Sequence, residues 1–195
     1  AWCLGSYQFT RYKPSDKKFP FLVYEEEGRE IPAIAGAIYL VRDLINTPCE
    51  DMGPAALYEA VKTVGLTYGA RVSQIVGQAL IAQNFPLIHA VGRAGSQEPR
   101  LIELNWGEQY PYKVTLVGKG VCFDTGGLDI KGAQYMQTMK KDMGGAAHVL
   151  ALAQLMMEAN LPVRLRVLIP AVENNIASHA YRPGDVFRSR KGVMV

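Results

Sequence analysis

An α/β fold, with helices packed against a sheet, is predicted by three observations. Segments of strand character interleave with segments of helical period along most of the chain. The run AAHVLALAQLMMEA that follows Gly144 and Gly145 is apolar around most of its circumference, as a buried helix is. Val163, Leu165, Val167 and Ile169 alternate with Arg164 and Arg166, the two-residue period of a strand with one face on a core.

Taken in order, residues 7–30 mix aromatic, basic and acidic side chains without helical period and read as a strand and a polar connector. From Ile31, Pro32 suits a first helical turn. Ile34, Ala37, Ile38, Val41, Leu44 and Ile45 then recur at helical spacing until Pro48 stops the run. A second helix is expected from Pro54 to about Val64, with Leu57, Val61 and Val64 on one face and Gly65 as its stop. Residues 70–76 read as a strand and 79–84 as a short helical stretch. Residues 92–99 read as a loop, and 101–106 and 113–117 as two further strands.

The 195 residues suffice for a buried core. No apolar run approaches the roughly 20 residues that span a bilayer, so a membrane helix is excluded. Lys and Arg number 21 against 18 Asp and Glu, a net charge of +3 without a long basic track, so nucleic acid is not an expected partner. Cys3, Cys49 and Cys122 are odd in number and far apart, which suits a reducing compartment. The chain begins at Ala1 and ends at Val195 without the usual signals of either terminus, and it is expected to be a fragment of a longer protein.

Chemistry concentrates between Lys119 and Asp142, in KGVCFDTGGLDIKGAQYMQTMKKD. Lys119 and Asp124 follow a predicted strand, where ligands gather in α/β folds. Taken singly, Lys119 reads equally as a solvated turn lysine, Asp124 as a turn residue bonding nearby backbone, and Asp142 as an N-cap. What those readings leave unexplained is the set of glycines around the charges: Gly118, Gly120, Gly126, Gly127, Gly144 and Gly145. Glycine lets backbone approach a compact ion or anionic group.

A phosphate loop does not fit, because Lys113 stands where its first glycine belongs and Gly120 follows Lys119. Asp124-Thr125-Gly126 spells the aspartic-protease triplet, but only one copy exists, so that chemistry would need a second chain. A divalent-metal site accommodates both aspartates as hard oxygen ligands. One lysine could then ligate as the free amine while a second, protonated, stabilises an oxyanion. Cys122 lies in an apolar context with no paired base, and His89, His148 and His179 share no ligand spacing.

VGKGVCFDTGGLDIK followed by MKKDMGGAA resembles the central motif block of the leucyl aminopeptidase (cytosol aminopeptidase) family of metallopeptidases. RDLINTP at 42–48, DMGP at 51–54 and RPGDV at 182–186 resemble further stretches of that family, so the resemblance covers essentially the whole chain. It implies a mixed sheet flanked by helices, with residues 1–30 the end of an N-terminal domain and its connector, 31–47 a linker helix, and 48–195 the front part of the catalytic domain. It implies that Lys119, Asp124 and Asp142 are metal ligands, that Lys131 is the catalytic, substrate-binding lysine, and that Met139 lines the pocket for the substrate's first side chain. Met139 reads equally as a core methionine.

The family reaction uses two divalent ions, manganese or zinc. A metal-bound water attacks the N-terminal peptide bond, with leucine-type preference, and bicarbonate assists. Family members are cytoplasmic homo-hexamers acting on peptides. Gly132 departs from the proline or alanine common there. The family's Asn-Thr-Asp-Ala-Glu-Gly-Arg stretch, which supplies two more carboxylates and an arginine, has no match in these residues. Neither Glu173, read as a loop carboxylate, nor Asp185, read as a turn residue, replaces it. The chain alone is therefore expected to be inactive or to bind metal weakly. The alternative is a non-catalytic binding or regulatory module on the same fold.

Overall fold

The computed structural model describes residues 2–20, 23 and 30–195. Its elements are α1 (Trp2–Gly5), α2 (Glu30–Asn46), α3 (Pro54–Thr67), β1 (Arg71–Val76), α4 (Gln78–Ala82), α5 (Pro86–Gly92), β2 (Arg100–Trp106) and β3 (Lys113–Val117). Then follow β4 (Gly120–Asp124), α6 (Ala133–Met136), a 3₁₀ turn (Met139–Met143), α7 (Gly144–Glu158) and β5 (Arg164–Asn174).

The five strands form one mixed sheet in the order β1-β2-β5-β3, with β4 continuing beside β5 beyond the end of β3. β1 pairs with β2 and β2 with β5 antiparallel, whereas β3 and β4 both run parallel to β5. The two-residue alternation in β5 decides its facing. Leu165, Val167 and Ile169 are buried, and Arg164 and Arg166 stand on the opposite, open face. Onto the apolar face pack Leu57 and Val61 of α3 and Ala146, Ala147, Leu150 and Ala153 of α7, in one cluster with Ile102 and Leu104. Each fully buried leucine there contributes roughly 1.5–3 kcal/mol by leaving water. α2 lies along α7 and closes the cluster with Leu44 and half-buried Val41 and Ile45.

Three expectations change. Residues 7–20 form no strand; Pro14 and Pro20 remove ladder donors, and the segment is instead tied to other elements by Tyr7, whose hydroxyl donates to Asp43 Oδ1 at 2.6 Å, and by Tyr12, which donates to Asp51. The rest of that predicted strand and connector lies mostly outside the described residues. Gly65 does not end α3, which runs on to Thr67. A Cβ at Gly65 would lie 2.4 Å from Val72 Cγ2, so the glycine is there to let β1 approach the helix. Beyond its C-cap Tyr68, Gly69 takes φ +67°, and Ala70 N–H donates to Gly65 O (2.8 Å) and Gly69 N–H to Leu66 O (3.4 Å), the paired bonds of a Schellman cap. Third, residues 120–124, to which the sequence reading assigned no element, form strand β4.

Candidate functional site

The break between β3 and β4 fixes Lys119. Gly118 N–H donates to Leu168 O (3.0 Å), and a Cβ on Gly118 would lie 2.7 Å from Gly145 O and 2.8 Å from Ala146 Cα. Lys119 O in turn accepts from Ala146 N–H at 2.9 Å. The backbone of the lysine is thus locked against the first turn of α7 by contacts that only glycines at 118 and 145 permit.

β4 carries Asp124 at its C-terminal end, opposite Asn174 of β5. Its Oδ1 accepts from Gly126 N–H (2.9 Å) and from the Asn174 side-chain amide (2.8 Å), and its Oδ2 lies 2.9 Å from Lys131 Nζ. Lys131 is returned to the end of β4 by a tight loop. Gly126 and Gly127 take φ of +88° and +65°, Lys131 N–H donates to Thr125 O (2.9 Å), and Thr125 is pinned to Asn174 O through both its N–H and its hydroxyl. Burial by itself would raise the Asp124 pKa. The hydrogen bonds from Lys131, Gly126 and Asn174 and the Lys131 charge outweigh it and hold the carboxyl below its ordinary range. The hydrogen bond to Asp124 raises Lys131 against its own desolvation, with added attraction from Asp124, Asp142 and Asp129. Lys131 therefore stands as a cation.

Asp142 comes from the 3₁₀ turn, which packs on β4 and is tethered to the end of α2 by Lys140 Nζ donating to Asn46 O at 2.7 Å. Its Oδ2 is buried and lies 2.8 Å from Lys119 Nζ, yet the approach lacks the angles of a hydrogen bond, so this oxygen has a neutralising charge and no donor. Because the 3₁₀ turn packs on β4, whose last residue is Asp124, the two lysine–aspartate pairs stand on adjoining elements. Met139 begins the same 3₁₀ turn, half-buried, and three-residue spacing in such a turn places it on the side of Asp142.

All four charged residues singled out in the sequence therefore converge. The N-cap reading of Asp142 fails, because the residue before α7 is Met143 and no side chain caps the helix. The turn reading of Asp124 holds in part through its bond to Gly126, alongside the ion pair. Asn174, 8% exposed, was not foreseen; its only signal is its register opposite Asp124 at the end of an alternating strand. Glu173 lies on β5 rather than in a loop, accepting from the Ser96 hydroxyl (3.3 Å) and the Asn175 amide (2.9 Å). Asp185 is a turn residue as expected, accepting from Arg182 N–H at 2.9 Å.

The donor set that could hold a divalent cation is the pair of carboxylates Asp124 and Asp142, with Lys119 as a nitrogen donor once deprotonated. Among the described residues no group of three or more His, Cys, Asp or Glu is placed to share an ion, so these residues amount to part of a coordination shell. The buried, undonated oxygen of Asp142 fits such a partial shell. Thiol chemistry does not fit: burial pushes the Cys122 thiol up, and its Sγ is committed to Gly120 O. Burial, with Glu173 and Glu50 adding to it, also lifts Cys49 to about 11. Because the raised pKa favours the neutral thiol in the fold, Cys49 is expected to resist iodoacetamide at pH 8, where roughly one molecule in a thousand is thiolate. Peptide-resolved alkylation should rise about tenfold per pH unit toward 11, and the stability this thiol contributes should fade over the same interval.

The pattern of the family described as "Cytosol aminopeptidase family, catalytic domain" matches residues 39–195. A probable cytosol aminopeptidase of Roseiflexus castenholzii is 37% identical over 98% of this chain and 43% of its own length. The crystal structure of the Coxiella burnetii cytosol aminopeptidase superposes with a TM-score of 0.91 at 54% identity, over 99% of this chain and 42% of that one. The bottromycin maturation enzyme BotP, solved in complex with Mn, does so at 0.87 and 35%, over 98% and 42%. The chain spans less than half the length of each of these proteins. By its pattern, its identities and its fold, it belongs to the cytosol aminopeptidase family of metallopeptidases.

Proposed function

We propose that this chain forms the front part of the catalytic machinery of a metal-dependent aminopeptidase that removes N-terminal residues, with leucine-type preference, from peptides. In this reading residues 1–30 end an N-terminal domain, 31–47 form a linker helix and 48–195 begin the catalytic domain. The observation that carries it is the buried Asp142 oxygen without a hydrogen-bond donor, set beside the Asp124–Lys131 pair.

Asp124 and Asp142 each offer a carboxylate oxygen to a cation, and Lys119 offers its amine after losing a proton. Two manganese or zinc ions held there would supply a water acidic enough to ionise near neutral pH and would polarise the scissile carbonyl. Lys131, fixed as a cation by Asp124, is aimed to stabilise the negative charge that develops on that carbonyl oxygen. Asn174 and the Gly126 N–H hold the other Asp124 oxygen, so the carboxylate keeps its orientation when a substrate arrives. Met139 presents an adaptable apolar wall to the side chain of the residue removed. The presence of Mn in the BotP complex supports a divalent ion in this fold. Bicarbonate, a homo-hexameric assembly and a cytoplasmic setting complete the proposal.

The test is hydrolysis of leucine anilides by a protein of the relatives' length that contains this sequence. Activity should vanish with a chelator and return with manganese or zinc, while the 195-residue chain alone stays inactive. Hydrolysis indifferent to chelation would refute the metal mechanism, and a folded, peptide-binding protein that never hydrolyses would favour the non-catalytic module.

A further inference from the structure

We propose that Lys140 is a positioning residue for the metal site: its bond to the end of α2 holds in place the 3₁₀ turn that carries Asp142 and Met139. The proposal rests on the reading of Asp142 as a metal ligand.

The two aspartates are fixed by different means. Asp124 is aimed by three donors, the Lys131 ammonium, the Gly126 N–H and the Asn174 amide. The buried Oδ2 of Asp142 has no donor; only the charge of Lys119 lies against it. Its direction therefore follows from the backbone of the turn that carries it. A 3₁₀ turn of five residues has poor internal hydrogen bonds and takes its position from what anchors it. On the C-terminal side of Asp142 the anchor is Met143, 1% exposed in the main cluster. On the N-terminal side it is Lys140, whose Nζ donates to Asn46 O at 2.7 Å. With three residues to a turn, positions 140 and 142 leave the backbone on different sides, so Lys140 reaches α2 while Asp142 meets Lys119.

The end of α2 suits that ammonium. The last carbonyls of a helix lack internal donors, and the negative end of the helix dipole attracts a cation. α2 has no basic residue in its own last turn, where Asp43 adds further negative charge. Thr47 closes Asp43 O with both its N–H (3.0 Å) and its hydroxyl (2.7 Å), and Lys140 closes Asn46 O. Asn46 is itself held: its side-chain amide donates to the Tyr7 hydroxyl at 3.1 Å, which donates to Asp43 Oδ1 at 2.6 Å. The turn is thus referred to a fixed point 94 residues away in sequence. If Lys140 served only to cap α2, its loss would lower stability and leave the metal site unchanged. If it acted only as a charge, its loss would strengthen cation binding nearby, because a repulsive cation would be gone. Positioning predicts the reverse sign, a weaker metal site.

The experiment measures Mn²⁺ affinity by electron paramagnetic resonance, with thermal midpoints and leucine-anilide kinetics alongside, in a protein of the relatives' length that contains this sequence. K140M should weaken Mn²⁺ about tenfold, the low end of what losing an outer-shell support costs, and should raise KM through displacement of Met139. K140R can still donate to Asn46 O and should restore most of that affinity. K141M removes the same charge from the next residue without touching the bond to α2, and should bind Mn²⁺ as tightly as the parent or more so. The proposal is overturned if K140M binds Mn²⁺ like the parent, whatever its thermal midpoint, if K140R falls as far as K140M, or if K141M weakens binding equally. D142N separates this proposal from the reading beneath it. Mn²⁺ bound by D142N like the parent would overturn the ligand role of Asp142 and the proposal with it; Mn²⁺ lost in D142N but kept in K140M would overturn the positioning role alone.

Discussion

Replacing Gly118 by alanine should destabilise the fold by about 3 kcal/mol, toward the upper end of what overpacking produces. The new methyl would meet Gly145 O at 2.7 Å, Ala146 Cα at 2.8 Å and Val149 Cγ2 at 2.5 Å. Two of those three atoms belong to the backbone of the first turn of α7, which cannot rotate aside as a flexible side chain can. Relief requires β3 and α7 to separate, and they share the buried cluster around Leu150 and Val167. Urea unfolding should report the loss as a lower midpoint. The same movement should pull Lys119 from Asp142, so metal binding should weaken as well. A variant as stable as the parent would mean that β3 and α7 are not packed as described.

Asp124→Ala should have the opposite profile, a large loss of function with a small loss of stability. Three donors lose their acceptor: Lys131 Nζ, Gly126 N–H and the Asn174 amide. In a dry interior each would cost about 1–3 kcal/mol. Here the Lys131 and Asp124 side chains are 30% and 16% exposed, and water can take much of the place of the carboxylate. A net destabilisation of about 1 kcal/mol is expected. Removal of a ligand should reduce divalent-metal affinity by at least roughly a hundredfold, beyond the effect of disturbing an outer-shell partner. Asp124→Asn keeps the shape and should lose metal equally. Severe unfolding with metal affinity intact per folded molecule would make Asp124 a turn residue and nothing more.

What the sequence disclosed divides along physical lines. α2, α3 and β5 announce themselves because burial on one side imposes a period, with Leu165, Val167 and Ile169 against Arg164 and Arg166 the clearest instance, whereas α7 announces itself as a long apolar run. β4 was hidden because its evidence is a close contact rather than a period. Gly120 looks like a turn residue, but a Cβ there would lie 2.7 Å from Pro170 O, so the glycine serves strand pairing. Gly65 misled in the same way, a packing glycine read as a helix stop. The strand expected in residues 7–30 rested on aromatic content, yet Tyr7 and Tyr12 spend their hydroxyls on Asp43 and Asp51.

The site was legible in its charged members, which the resemblance singled out together. It was not legible in its supports. Asn174 orients Asp124 from 50 residues away, and only the register of β4 on β5 brings them together.

The central claim is that Lys119, Asp124 and Asp142 present a partial ligand set to a divalent cation, and Mn²⁺ titration followed by electron paramagnetic resonance and proton release tests it most directly. The expected result is weak, saturable binding by the 195-residue chain that strengthens with pH and releases a proton as Lys119 gives up its own. D124N and D142N should each reduce that binding at least tenfold. Mn²⁺ bound equally well by both variants and the parent, or bound with no proton released, would contradict the account.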